Sequence, residues 1–192
     1  MQASTKRAPA SNGAPPDLLR AAFRDLHGPR LHGFALLIAL GDRATAARLA
    51  SEALAAGSAR TGELRHPERA AAWLRQRVTR NAGRMGRSIG GRHVAGDGLP
   101  ALELMGVEAA GFAGLSALTI RERAALVADS VERLGRHDVA TVVGIDGTRL
   151  DRLIRRARSR YRATVAGSLD DAAAVAGPTA TRIHAVAARA LS

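Results

Sequence analysis

LGRHDVATVVGIDGTRLDRLIRRARSRY, Leu134 to Tyr161, is the stretch that decides how this chain reads. Val139, Ala140, Val143, Gly144 and Ile145 make a short apolar group around a tight turn, and Asp146 stands where a helix N-cap would. Beyond it Leu150, Leu153, Ile154, Ala157 and Tyr161 recur at helical spacing, while Arg149, Arg152, Arg155, Arg156, Arg158, Arg160 and Arg162 occupy the other faces. The pattern predicts a helix-turn-helix. Its second helix docks by an apolar stripe and turns basic flanks outward, as a helix in a DNA major groove must.

The rest of the chain carries the same charge. Across 192 residues the formal net charge is +12, which points to a polyanionic partner, nucleic acid before an anionic membrane surface. Of the 29 basic residues only Lys6 is lysine. Arginine suits phosphate and base contacts, although a genome rich in arginine and alanine codons is the favoured main cause of the excess. With no cysteine there is no disulfide, thiolate metal site or cysteine nucleophile. The longest apolar run, Phe34 to Leu40, is far too short to span a bilayer, so no membrane insertion is expected. Aromatics are 3% of the chain, so its core must be built from Ala, Leu and Val, which favours an all-α fold.

Five segments are expected. Residues 1–16, rich in Pro, Ala, Ser and Gly, read as a disordered N-terminus. Residues 17–87 read as a helical domain, its first helix interrupted at Gly28-Pro29, a second capped by Asp42, and a third beginning near Glu68 after a loop from Gly57 to Pro67. Residues 88–114 read as a flexible linker with a short helix at Ala101 to Met105. Residues 115–165 read as the helix-turn-helix domain, opened by the capping box Thr119-Ile-Arg-Glu122. Residues 166–192 read as Ala-rich tail helices split by Gly177-Pro178, with Ser168, Asp171 and Thr179 as caps.

Particular residues carry the functional reading. Arg149, Arg152 and Arg156 stand at i, i+3 and i+7 and share a face, where a guanidinium can fork onto guanine or bridge phosphates. With Thr148, Arg155 and Arg158 they form the candidate DNA-reading set. Asp151 reads as the helical partner of Arg155, with cytosine recognition as the competing use. Residues 69–92 hold seven arginines and no acid, a helix able to follow a phosphate backbone, from which Arg77, Arg80, Asn81 and Arg84 are the candidate contacts. Trp73, beside Leu74 and Val78, reads as core rather than as a stacking platform. The histidines show no zinc-site spacing, and Gly86 to Gly91 lacks the strand and Lys-Ser/Thr of a phosphate loop. No catalytic residue, metal ligand or cofactor is expected, and hence no enzyme.

Taken together, Leu18 to Arg162 resembles the extracytoplasmic-function subgroup of the bacterial sigma-70 factors. Leu26-His27-Gly28-Pro29-Arg30-Leu31 with Phe34-Ala35-Leu36 looks like the opening of sigma region 2, Gly41 to Ala44 and Glu52-Ala53-Leu54 like its next helix, and Trp73-Leu74 with Arg80-Asn81 like its −10 recognition helix. Leu118 to Arg162 is similar to region 4, which reads the −35 element. The resemblance implies two small helical domains, promoter DNA and core RNA polymerase as partners, an anti-sigma factor as a further one, and a cytoplasmic, nucleoid-associated place of work. It departs at the family's polymerase-docking helix, which reads Ala47-Arg48 and Ser51-Glu52 where acidic and Gln-Glu pairs are usual, leaving Glu52 as the candidate polymerase contact. It departs again at Asp151 and Leu153, which stand where relatives carry bases. The alternatives are a diverged sigma-like regulator unable to melt promoters, and a basic adaptor that binds DNA, RNA, polymerase or acidic partners without reading sequence.

Overall fold

A computed structural model of the chain describes residues 16–64, 66–88 and 98–175. Every regular element among them is helical: α1 (Pro16–Ile38), α2 (Arg43–Ser58), α3 (Pro67–Ser88), α4 (Leu99–Glu103), α5 (Ala109–Ser116), α6 (Ile120–Leu126), α7 (Arg136–Val143) and α8 (Gly147–Val175). The all-α fold is as the composition predicts. Residues 1–15 of the segment expected to be disordered, the Gly86–Gly91 run in part, the Gly177-Pro178 split and the Thr179 cap lie outside the described residues, while Pro16 already belongs to α1.

Local chemistry sets most helix ends. Asp42 caps α2, its carboxylate accepting from the Thr45 amide at 3.0 Å. Thr119 and Glu122 form the predicted capping box of α6. That helix runs on into a π-helical stretch, Val127–Val131. The loop between Ser58 and Pro67 lies where expected, and Pro67 takes the first position of α3, where a missing N–H costs nothing. α7 ends at Gly144, whose φ of 66° is a left-handed turn that a side chain would strain.

Three expectations change. α1 is not interrupted at Gly28-Pro29 but runs through Pro29. Pro29 is exposed, so the carbonyl it leaves unpaired can turn to water, and the buried face of Phe23, His27, Leu31, Phe34 and Ile38 carries the helix across the defect. Residues 88–114, read as a linker, contain α5 as well as the short helix foreseen, and Leu102, Phe112 and Leu115 are core residues. α8 does not stop near residue 165 but continues through Gly167, Ser168 and Asp171 to Val175. One exposed glycine costs a helix only about 1 kcal/mol, too little to end one among alanines.

A single hydrophobic cluster draws on both halves of the sequence, from Phe34, Leu49, Leu74 and Val78 to Val127, Val139, Val142 and Leu150. α3 packs along α7, α2 along α1, and α8 along α5 and α6. Two arginines reinforce the join. Arg75 of α3 and Glu132 have side chains only 6% and 7% exposed and form a two-point ion pair, one arm Nη2 to Oε1 at 2.6 Å. Arg75 also donates to the Ala71 carbonyl and lies over the Phe34 ring. Buried Arg123 donates to the carbonyls of Leu115, Leu118 and Ile38, the last of them in α1. Burial brings its pKa down to about 10, still far above neutrality, so it keeps its charge.

Candidate functional site

The candidate site is the outer surface of α8. Its placement begins with Asp146, which accepts from the Arg149 amide at 3.1 Å and caps the helix as the sequence predicts. Leu150, Leu153, Ile154 and Ala157 are buried and fix which side faces the body. Further along, Tyr161 lies half-buried against α5, where Gly114 leaves room for its ring and burial raises the phenol pKa. At helical spacing, the side opposite this stripe carries Thr148, Arg152, Arg155, Ser159 and Arg162, all exposed.

Charge pairing divides the arginines. Glu122, its side chain 3% exposed, receives Arg156 Nε at 3.1 Å and Arg160 Nη1 at 3.0 Å. Burial would raise its pKa, but hydrogen bonds from the Thr119 amide and hydroxyl, with the charges of Arg160 and Arg156, outweigh that and lower it. Arg158 pairs with Asp129 at 2.6 Å, and Arg149 lies 3.6 Å from its own cap, Asp146. Asp151 pairs with Arg136 of α7 and not with Arg155, because the turn brings α7 beside it. Among the described residues Arg152, Arg155 and Arg162 form no ion pair. Of the six residues singled out in this helix, Thr148, Arg152 and Arg155 stand on the central stripe, while Arg149, Arg156 and Arg158 flank it beside acids.

On α3, Arg77, Arg80 and Arg84 are exposed and Asn81 is half-buried. Arg77 and Arg60 each place a guanidinium 5.5 Å from the Trp73 ring centroid. That ring is partly buried and packs on the core, as read from its neighbours. Asn81 receives Arg84 at 2.9 Å and donates to Glu52 at 3.0 Å, so the candidate polymerase contact is tied to the candidate −10 helix. Arg48 reaches the Met85 sulfur across the same junction. The structure thus gathers Glu52, Asn81 and Arg84 into one α2–α3 cluster, and ties α3 to the end of the π-helical stretch that extends α6 by Arg75–Glu132.

Sequence reasoning missed the second role of Glu122, read only as half of a capping box, and the burial of Arg75 and Arg123. Arg162 was noted among the basic flanks without a role; its spacing from Arg155 and Ser159 is the signal that puts it on the stripe. Among the described residues no three acids or histidines come together as a metal cluster, and no helix is long and apolar enough to cross a membrane. No protein-family model matches the chain, and neither a curated protein nor a solved structure matches it.

Proposed function

We propose that the chain is a DNA-binding transcription initiation factor of the extracytoplasmic-function sigma kind, which brings core RNA polymerase to promoters. The observation that carries this reading is α8, the second helix of a helix–turn–helix, seated by Leu150, Ile154 and Ala157 and turning outward Arg152 and Arg155, which form no ion pair among the described residues. In this reading α8 enters the −35 major groove and Arg77, Arg80, Asn81 and Arg84 follow the −10 strand. Glu52 meets polymerase, and an anti-sigma factor is the natural regulator. This role requires the α3–α7 packing and the Arg75–Glu132 pair to open on polymerase, so that the two halves act as separate region 2-like and region 4-like units, working in the cytoplasm at the nucleoid. No step of this role calls for an active site or a cofactor.

One observation favours the diverged regulator or adaptor instead. Glu52 is engaged by Asn81, and Arg48 puts a positive charge on the surface where the family keeps acids. A protein with that surface can keep duplex binding and lose polymerase. Run-off transcription separates the two: the chain with core polymerase should yield a discrete transcript from a selected promoter. Duplex binding with neither transcript nor polymerase co-elution would assign it to the second reading.

A further inference from the structure

Four large apolar side chains stand out in solvent among the described residues, and three of them share one face of α1: Leu18, Leu19 and Leu26, exposed by 61%, 48% and 59%. Ala22 lies between them, also exposed. These residues make a stripe about 12 Å long on the side of α1 turned away from Phe23, His27 and Leu31. The same helical face continues to Gly33, where Met105 covers it: a β-carbon built there would lie 3.7 Å from the Met105 methyl. The stripe is therefore a core-type face, closed at one end by the segment joining α4 to α5 and open along the rest. Asp25 borders it and forms no ion pair among the described residues.

We infer that this stripe is the docking face for the chain's own C-terminal segment, residues 179–191. A second copy is the weaker occupant: three leucines and an alanine fall well short of the roughly 1,200 Å² at which specific dimers begin. A tethered segment needs less area, because its local concentration is set by the tether. Of the two chain ends, the first has no large apolar residue after Met1. The last has Ile183, Val186 and Leu191, which with Ala187 and Ala190 stand in the sequence at the spacing of one helical face, after the cap candidate Thr179. Arg182 and Arg189 border that face, a match for Asp25. Tyr161 and Val165 of α8 pack on α5 at Gly114, and Met105 of the α4–α5 segment lies against α1 at Gly33. Seven residues lie between Val175 and Ile183, a tether that spans at most about 27 Å.

The absence of native cysteine makes the test clean. Ala22→Cys with Ala187→Cys joins the centres of the two faces whichever way the segment runs, and Ala22→Cys with Ala185→Cys puts the second thiol on the segment's far side. Under mild oxidation of the full chain at low concentration, the first pair should close within the monomer at least about tenfold faster than the second. Amide exchange across residues 179–191 should also quicken in the Leu18→Ser, Leu26→Ser double variant. Equal closure rates, a product formed only between two chains, or unchanged exchange would overturn the inference.

Discussion

The Arg75–Glu132 pair makes a quantitative demand on the fold. Both side chains are more than nine-tenths buried and the two are bonded at both ends, so Glu132→Leu leaves a guanidinium in the core with only the Ala71 carbonyl. Breaking a buried pair from one side costs about 3–5 kcal/mol, against a typical domain stability of about 5–15 kcal/mol. For a body of this size each kcal/mol moves the midpoint by about 2–4 °C, so the single variant should melt roughly 6–20 °C lower. Arg75→Met with Glu132→Leu removes both charges and should recover most of that loss. Calorimetry reads both quantities and the number of transitions. Because α3 and α7 share the core that this pair bridges, the wild-type protein should unfold in one transition that moves as a whole. A loss under about 1 kcal/mol, or two transitions of which one stays in place, would refute the shared-core argument.

Three further outcomes follow from the same structure. Gly114→Ala should destabilise by about 1–3 kcal/mol in urea titration, since its β-carbon would sit 2.6 Å from the Tyr161 ring. Burial, then the charge of Arg75, holds the His27 pKa below 6.5. The unfolded chain therefore gains a proton first as pH falls below that value, so stability should decline on the acid side, and His27→Gln should flatten that decline. Glu122 has its pKa lowered from 4.5, so the stability it contributes is whole above that pH and lost as pH falls through its folded value; Glu122→Gln should remove that step from the acid titration.

What the sequence made legible was what is local. Asp42, Thr119 with Glu122, Gly144 and Asp146 mark helix ends because a cap needs only a few neighbouring residues. The apolar stripe of α8 was equally plain, since one helix turn repeats within a few positions. The union of the halves was not, because Arg75 and Glu132 are far apart in the chain and each reads as an ordinary surface charge. The same limit hid the sorting of the α8 arginines: their spacing gives a face, but only packing against α6 puts Glu122 between Arg156 and Arg160. Gly28-Pro29 and Gly167 misled in the other direction, since breaker residues act against a helix locally while burial on one face, or a run of alanines, sustains it.

The central claim is that α8 reads a DNA sequence through its outward stripe. Selection of bound duplexes from a random pool tests it most directly, run in parallel on the wild-type chain, on Arg152→Ala with Arg155→Ala, and on Arg156→Ala with Arg160→Ala. The account predicts one enriched motif for the wild type, kept by the flanking pair and lost by the stripe pair, with about 1–3 kcal/mol of discrimination lost per base contact. Binding with no enriched motif, equal on scrambled duplexes and falling steeply with salt, would contradict it and leave a basic surface that holds DNA without reading it.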